Sequence, residues 1–590
     1  MSDKVVELAE FKNISAEKLL KLPQNSAEKL FNSLSIDKKA AIVISAPFEN
    51  RIDLILMSDD SKALVQSLPE EEVYWTIKER GRTDSLAIIS RTSHEQFQYL
   101  IDVDCWNRDE IDFKNIAEWY LLLGKCNELK VIEWFEKADE RFLISTLKRF
   151  MGIFKLEGES DILEEYEDMP NDTFDNVYYF QFVDEETKLV LMPLLGVLYR
   201  YDSSFFYSLI NAILYEFTAE SDEDAFRWRQ VRMSEKGFPV IDEALEVYQY
   251  VSDHEIEAFK KKFNNTSELY GENKTSFRYL LAVKNAPSFF TDAIKHIKDE
   301  NSLYDIQKNI INLASKIIMA DCLEIRDLED KKKSIEKAEG YINIGLEIIS
   351  EEDISKAADV LASVHPLELF RIGYSSGLKL KNTLKEYIIK HGEQILSFND
   401  ISYSEVITGL LEKRPKYFEG LSEKDSITLR NFKNISEIKN TDDVINDLIF
   451  SNKLIFECFE LDHEYLTGTF QDKVQNNPVS ITYISLFNTM LVNNICKGKS
   501  DLVPLTGEEV SAFIKTVFDY NNDYISFKKG FKDEVFDWIN SRFNLEKQYI
   551  IFLKRFVAQA LEILNEDLRS FSTNDKIDSR YISALLFKKE

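Results

Sequence analysis

The stretch LPEEEVYWTIKERG, residues 68–81, contains the local signals that decide the fold class of this chain. Pro69 suits the first helical position, and Glu70–Glu72 bring negative charge to the positive end of a helix dipole. Gly81 suits the position just after a helix, where the backbone favours glycine. The stretch therefore predicts one helix of about three turns between Pro69 and Gly81.

Comparable signals recur through the first 150 residues. Ser93 and Gln96 have the spacing of a capping box at a helix start. After Asp112, apolar side chains return at helical intervals and form one stripe: Phe113, Ile116, Trp119, Tyr120 and Leu123. Helix starts are predicted near residues 69, 83, 93, 112, 127 and 139. We therefore predict an all-α fold: an irregular α-solenoid of short helical hairpins, followed by a second helical domain.

The chain divides by sequence character into four predicted regions. They are an N-terminal helical-repeat region (1–154), an acidic, aromatic connecting segment (155–186), a helical region that completes the N-terminal half (187–255) and a C-terminal helical domain (256–590). The connecting segment carries twelve acidic residues and one lysine. We interpret its centre, 177–182, as an ordered loop, with a short strand or an extended segment in a groove as alternatives. The apolar run 189–198 predicts a buried helix broken by Pro193.

Composition indicates the class of protein and its compartment. The chain has 103 acidic and 73 basic residues and a formal charge of −30, which repels nucleic acid. Its most apolar run is about half of the ~20 residues that a membrane-spanning helix needs. The five cysteines are widely spaced, and MSDKVVELAE lacks the features of a signal peptide. We expect a cytoplasmic protein that neither inserts into membranes nor binds nucleic acid.

The motifs of common enzymes are absent from the sequence. No two glycines are separated by one residue, which excludes G-x-G-x-x-G. Gly340 and Gly345 have P-loop spacing, but Leu346 and Glu347 follow where lysine and a hydroxyl are required. G-x-S-x-G, H-E-x-x-H and C-x-x-C are also missing. We predict no cofactor and no metal, and a non-enzymatic role is favoured while enzymatic activity stays open.

Three isolated patterns have weak similarity to ligand or catalytic motifs. Glu460 and His463 are spaced like a metal-binding pair on a helix, but a di-metal site requires a second such pair. Asp102 and Asp104 match the first positions of a calcium loop, whose later positions are wrong. His365 precedes Pro366, which favours a loop or the start of a helix. We therefore interpret these patterns as structural.

The stretch AFRWRQVRMSEKGFP, residues 225–239, concentrates basic side chains in an acidic chain. At helical spacing Arg229, Arg232 and Lys236 share one face, whereas Arg227 points to the other side. These three cations are the candidate binding residues of the chain. Three interpretations are open: ion pairs with carboxylates of the same chain, contact with a protein partner, or a small-anion site.

Several stretches carry a resemblance to a known family. LPEEEVYWTIKERG, QYLIDVDCWNRDEID, AFRWRQVRMSEKGFP, HPLELFRIGYS and IDSRYISALL resemble an uncharacterised family of large bacterial proteins, a domain of unknown function, over nearly the whole chain. The resemblance implies no catalytic residue. The first 100 residues, with junctions at Leu22-Pro23 and Leu68-Pro69, are also similar to the cytosolic helical domain of MgtE-type magnesium transporters and to the flagellar motor-switch protein. That likeness implies a superhelical scaffold and not transport.

The expected function follows from the predicted architecture. Arrays of short helices present broad surfaces that bind other proteins. We therefore expect a cytoplasmic helical scaffold or adaptor whose partners are proteins. The alternative is an enzyme or a sensor of a small anion whose site is assembled only in three dimensions.

Overall fold

The helix predicted between Pro69 and Gly81 is observed as Glu70–Arg80, and Gly81 follows it with φ 98°. In the computed structural model the described residues are 16–156, 170–263, 288–399 except 298, 401–423, 426–475, 481–521, 524–569, 571 and 577–589. This part of the chain is mainly helical with four small sheets, which confirms the predicted all-α character. None of its helices is both long and apolar enough to cross a membrane.

The described chain divides into two compact units. Unit 1 contains the described residues of Met1–Glu246 and of Ile311–Ser334. Unit 2 contains those of Val247–Thr275, Ala286–Ile310 and Ile335–Glu590. The finer division into four regions stays a prediction.

The helices of unit 1 are short and follow one another closely. Up to residue 150 they are α1 (Ala16–Leu20), α2 (Gln24–Asn32), α3 (Ile36–Ser45), α4 (Phe48–Leu56), α5 (Ser61–Ser67), α6 (Glu70–Arg80), α7 (Leu86–Ile89), α8 (His94–Asp104), α9 (Phe113–Gly124), α10 (Glu128–Lys137) and α11 (Glu140–Phe150). A 3-10 turn at Thr83–Ser85 precedes α7. Strands β1 (Trp106–Asn107) and β2 (Glu110–Ile111) form a hairpin between α8 and α9.

Side-chain caps explain why these helices begin where the sequence predicts. Ser93 and Gln96 form a complete capping box at α8. Asp112, Asn127 and Asp139 accept backbone N–H groups at the starts of α9, α10 and α11. Each cap satisfies a donor that the first helical turn leaves without a partner. Helix α6 packs against α4 and α8, and the solenoid arrangement of the region as a whole stays a prediction.

The connecting segment forms a small antiparallel sheet. Strand β3 (Met151–Lys155) and strand β4 (Asp172–Thr173) flank β5 (Tyr178–Phe182), with Met151 opposite Phe182. The loop interpretation of 177–182 was therefore wrong, and the short-strand alternative is confirmed. Most of the acidic run, at 157–169, lies outside the described residues.

Pro193 does not break the helix in which it lies, contrary to the sequence prediction. Helix α12 (Glu185–Tyr201) continues through it. An interior proline costs about 3 kcal/mol because it removes a hydrogen bond and crowds the preceding turn. Four leucines of α12 lie in the core: Leu191, Leu194, Leu195 and Leu198. Their burial offsets that cost. Unit 1 continues with α13 (Ser203–Tyr215), α14 (Thr218–Glu235) and α15 (Ile241–Leu245).

The helices of unit 2 are on average longer. In chain order the next elements are α16 (Asp253–Phe263), α17 (Phe289–Lys295), α18 (Glu300–Ala320), α19 (Leu328–Ser350), α20 (Ile354–Ser363), α21 (Pro366–His391), α22 (Ile401–Leu411), α23 (Ile435–Asn452), α24 (His463–Tyr465), α25 (Tyr483–Lys497), α26 (Gly507–Val517), α27 (Phe531–Phe543) and α28 (Ile550–Leu568). Residues 311–334, which include parts of α18 and α19, belong to unit 1. Two hairpins pair β6 (Tyr417–Phe418) with β7 (Leu429–Arg430) and β8 (Phe518–Asn521) with β9 (Tyr524–Phe527).

Short helices of other types complete the described elements. The 3-10 turns are Glu246–Tyr248, Glu393–Phe398, Glu419–Leu421, Gln471–Lys473, Lys547–Tyr549 and Ser579–Tyr581. Two π-helical turns occur at Lys453–Cys458 and Leu466–Phe470.

Helices α19 and α21 cross at glycines in unit 2. A Cβ atom on Gly345 would lie 2.0 Å from the carbonyl oxygen of Leu369, and one on Gly373 would lie 2.0 Å from that of Tyr341. No real Cβ atom tolerates such a distance, so the two backbones approach this closely only because both residues are glycine. Gly345, which shares P-loop spacing with Gly340, thus serves packing.

Candidate functional site

Helix α14 contains the basic stretch up to Glu235, with Lys236 directly after its last turn, and is anchored to the rest of unit 1 along one face. Ser221, Ala225, Arg229 and Met233 are buried on that face. Helix α14 packs mainly against α11. The spacing of these four residues is the i, i+4 spacing that places side chains above one another on a helix.

Arg232 joins α14 to two earlier helices. Its Nε and Nη2 atoms donate to the two carboxylate oxygens of Asp102, at 2.7 and 2.8 Å, and Nη1 donates to Asp139 at 3.1 Å. The Asp102 side chain is 2% exposed. Burial on its own lowers the pKa of Arg232, but the hydrogen bonds and charges of both carboxylates outweigh it and raise this pKa. The guanidinium fork therefore holds three helices together as a permanent cation.

Arg229 is buried beside Arg232 but binds backbone oxygens. Its Nε donates to the Asp102 carbonyl at 2.8 Å and its Nη1 to the Arg108 carbonyl at 3.2 Å. Its guanidinium lies 5.2 Å from the centre of the Trp106 ring, within cation–π range. Burial lowers the pKa of Arg229 to about 10, so the side chain stays charged at neutral pH.

Lys236 and Arg227 form pairs at the surface. Lys236 Nζ lies 2.6 Å from Glu70, and Arg227 lies 2.6 Å from Glu223 on its own helix. The structure thus brings Arg229, Arg232 and Lys236 to one side of α14 and leaves Arg227 on the other. Their contacts favour the ion-pair interpretation, and an anion site or a partner contact at these three residues stays a prediction.

The exposed part of α14 includes two large apolar side chains among charged ones. Trp228 is 56% exposed and Val231, one turn further along, is 49% exposed. Phe217 and Tyr215, just before the helix, are 74% and 64% exposed. Large exposed aromatic side chains next to one another in the chain are typical of interaction surfaces.

A second group of charges surrounds Asp104, two residues after Asp102. The Asp104 carboxylate is 1% exposed; it is paired with Arg82 and accepts the indole N–H of Trp119 at 3.0 Å. Tyr74 donates to it at 3.4 Å, and burial followed by the charge of Asp104 raises the pKa of this phenol. Both aspartates stand at the C-terminal end of α8, where the helix dipole disfavours negative charge. Arg232 and Arg82 therefore compensate a buried charge that the helix alone would destabilise.

An open cavity of 750 Å³ lies beside Asp104 within unit 1. Its lining includes the basic residues Lys78, Arg82, Arg326 and Lys332, the acidic residues Glu79, Asp104, Glu324, Asp327 and Glu329, and also Trp75 and Asn115. Such a volume is within the range of small-molecule sites.

A family model described as "Family of unknown function (DUF6178)" matches residues 28–588. The chain belongs to this family. No curated protein sequence and no solved structure matches it. Membership in DUF6178 assigns no chemistry to the residues described above, so their contacts are the basis of any functional proposal. The likeness of the first helices to the magnesium-transporter domain stays a prediction.

The isolated patterns of the sequence do not assemble into a site in this DUF6178 protein. Glu460 has φ 55° and precedes the start of α24 at His463, so the two side chains do not share a helix, contrary to the sequence interpretation. The side chain of His365 caps α21, which agrees with a position at a helix start. Among the described residues, no group of three His, Cys, Asp or Glu side chains is arranged to hold a metal ion.

The sequence analysis missed the residues of the cavity in this family member. Lys78 and Arg82 flank the end of α6, whereas Arg326 comes from a segment more than 200 residues later. The one available signal was a lone arginine within the acidic run LEIRDLED, 323–330. Nothing in that run identifies Asp104 as its neighbour.

Proposed function

We propose that this DUF6178 protein is a cytoplasmic helical scaffold that binds another protein through the outer face of α14. The observation that carries the proposal is the exposure of Trp228 and Val231 on a helix that Arg229 and Arg232 fix in place. Tryptophan is enriched among residues that dominate binding energy at interfaces. A rigid helix also reduces the entropy lost when a partner binds.

The partner is expected to offer an apolar pocket to Trp228. The charged neighbours Arg227 and Glu223 pair with each other at 2.6 Å, so they add a polar rim of low net charge. A rim of this kind contributes little affinity and excludes water from the centre of an interface. The surface therefore suits a protein with an exposed hydrophobic cleft, and it does not suit nucleic acid.

The cysteines support a reducing compartment. All five cysteines are free thiols, and Cys322 and Cys496 are exposed. Exposed free thiols are typical of proteins in a reducing cytoplasm. Cell fractionation should place the protein with the cytosol, and recovery in salt-washed membranes would contradict this location.

The test compares capture by the full chain and two double variants. Trp228→Ala with Val231→Ser removes the proposed anchor. Leu189→Ala with Val183→Ser is the control, because these residues of unit 1 are 74% and 70% exposed. We expect at least one cytosolic protein to be retained by wild type and control and to be reduced about tenfold by the α14 variant, which corresponds to about 1.4 kcal/mol.

A purified partner allows a more direct measurement. The other four tryptophans of unit 1 are at most 4% exposed: Trp75, Trp106, Trp119 and Trp134. In the full chain, acrylamide quenching therefore reports on Trp228 and on the half-buried Trp538 of unit 2. Binding should protect the Trp228 indole, whose share is the difference between wild type and Trp228→Ala. A partner that binds without protecting Trp228, or binds the α14 variant as well as wild type, would place the interface elsewhere.

The alternative function, an enzyme or a sensor of a small anion, requires a site assembled in three dimensions. Arg229, Arg232 and Lys236 direct donors toward carboxyl or carbonyl oxygens of the same chain. The cavity beside Asp104 contains donors that are less fully engaged.

A further inference from the structure

The cavity beside Asp104 contains two cations, Arg326 and Lys78, that have no acceptor closer than 3.4 Å in the part of the chain that the structure describes. Arg326 lies 3.4 Å from the Asp104 carbonyl, 3.6 Å from Glu324 and 3.7 Å from Asp112. Among the described residues, the acidic neighbour of Lys78 within ion-pair range is Asp104, at 3.9 Å. Charge-assisted hydrogen bonds are usually about 2.7–2.9 Å long. Both side chains therefore retain hydrogen-bonding capacity toward the cavity.

The nearby cations of unit 1 behave differently. Lys332, which also lines the cavity, lies 2.8 Å from Glu329, and Lys236 lies 2.6 Å from Glu70. Arg82 is bound to Asp104, to Glu118 at 2.6 Å and to Asn115 at 3.0 Å. Arg326 and Lys78 thus differ from the other two cations of the cavity, Arg82 and Lys332, in having only long contacts.

Trp75 is part of the wall of the same cavity. Its side chain lines the cavity and is 3% exposed, and its Nε1 atom has no hydrogen-bond acceptor among the described residues. A buried donor without an acceptor costs about 1–3 kcal/mol. By contrast, Trp119 donates to Asp104 at 3.0 Å.

We infer that this cavity binds a small molecule that carries an oxyanion group, a carboxylate or a phosphate, between Arg326 and Lys78. Both groups offer the multiple oxygen acceptors that guanidinium and ammonium donors require. The inference goes beyond the proposed scaffold function, since it involves neither Trp228 nor Val231.

The acidic lining restricts the ligand to a compact one. Glu329 is paired with Lys332, and the Asp327 carboxylate accepts the Glu329 backbone N–H at 2.8 Å. Glu79 and Glu324 remain as negative charges in the lining and repel extended polyanions. The 750 Å³ volume suits a metabolite-sized carboxylate or phosphate rather than nucleic acid.

The test is isothermal titration calorimetry of the full chain at constant ionic strength, with inorganic phosphate and citrate as separate probes. Saturable binding of either probe is expected, and the tighter probe identifies the preferred group. Arg326→Gln and Lys78→Gln should each raise the Kd about tenfold, the effect of losing one charged hydrogen bond. Lys333→Gln is the control, because Lys333 is in the second turn of α19, pairs with Asp330 at 3.2 Å and is not among the residues that line the cavity. It should change the Kd by less than about twofold.

Each result is decisive for the inference. If wild type binds neither probe saturably, the inference is wrong whatever the variants do. If all three variants weaken binding equally, the anion is attracted by general surface charge and the cavity is not its site. Thermal melts of the free variants check folding, and they should match wild type because Arg326 and Lys78 make only long contacts.

Discussion

Helix α14 of unit 1 and helix α21 of unit 2 are held in place by opposite means. Helix α14 is anchored by side chains that reach out, with Arg232 bound to Asp102 and Asp139. Helix α21 is anchored by the absence of a side chain at Gly373, which lets its backbone contact α19. The first arrangement depends on charge and the second on shape. Mutations and pH should therefore affect the two units differently.

Tryptophan positions allow the units to be observed separately. Unit 1 contains Trp75, Trp106, Trp119, Trp134 and Trp228, and unit 2 contains only Trp538. Tryptophan fluorescence thus reports mainly on unit 1, whereas far-UV circular dichroism reports on both. A protein with two units need not unfold in one step, so both signals are required.

The largest effect is expected for charge reversal in unit 1. Arg232→Glu places a third carboxylate against Asp102 and Asp139, and disrupting a buried pair costs about 3–5 kcal/mol. Arg232→Ala should cost less because it adds no repulsion. Urea unfolding followed by tryptophan fluorescence measures both variants. An unchanged or higher unfolding midpoint in both variants would show that Arg232 has no structural role, and α14 would then be a candidate ligand site.

The next largest effect on stability is expected when a side chain is added where two helices of unit 2 cross. Gly373→Ala forces a Cβ atom toward the carbonyl oxygen of Tyr341, so α19 and α21 must separate. We expect this to lower the free energy of unfolding by about 3 kcal/mol. Gly468→Ala is the matched control, since its added Cβ would meet no atom within 4 Å. Urea unfolding followed by far-UV circular dichroism should show a lower midpoint for Gly373→Ala only. Equal midpoints for the two variants would mean that the close crossing does not limit stability.

Glu339 on α19 is expected to make the stability of unit 2 depend on pH. Burial, followed by the charge of Glu336, raises the pKa of Glu339 from 4.5 to about 7. The folded state then binds an additional proton between these values, so this group lowers stability as the pH rises from 4.5 to 7. Glu339→Gln should raise the free energy of unfolding by about 2 kcal/mol at pH 8 and by much less near pH 4.5.

The control for this pH effect is an exposed glutamate of unit 2. Glu386→Gln, on α21, should leave the pH dependence unchanged. Urea unfolding at several pH values, followed by circular dichroism, makes the comparison. If Glu339→Gln and wild type have parallel pH profiles, Glu339 does not titrate in this range.

The smallest effect is expected at the exposed end of α14. Lys236 is 39% exposed and pairs with Glu70, and exposed pairs are worth less than about 1 kcal/mol. Lys236→Ala should therefore shift the unit 1 midpoint only slightly, and the shift should disappear in high salt. A loss as large as that of Arg232→Ala would show that the surface pair is part of the buried network.

Helix ends were predictable because their causes are local. Pro69, Glu70–Glu72 and Gly81 define α6 within one stretch, and Ser93 with Gln96 defines the start of α8. Hydrogen bonds between residues three or four positions apart can be identified from spacing alone. The effect of Pro193 was predicted wrongly because the rule that proline breaks a helix considers only neighbouring residues. The helix continues because its leucines are buried against distant residues.

The shared face of Arg229, Arg232 and Lys236 also followed from helical spacing, but their partners did not. Asp102 precedes Arg232 by 130 residues and Asp139 precedes it by 93. A chain with 103 acidic residues offers many equivalent carboxylates, and only packing selects among them. The cavity is a clearer case, since it combines Lys78 with Arg326 from distant parts of the chain.

The sequence by itself determined that this protein is helical, acidic and without the motifs of common enzymes, because periodicity, composition and capping are properties of short stretches. The tertiary structure alone decided which carboxylate each arginine contacts, where glycine permits two helices to touch, and which donors remain loosely held. The physical reason is that local hydrogen bonds and propensities act over a few residues, whereas burial and ion pairing depend on which distant surfaces meet.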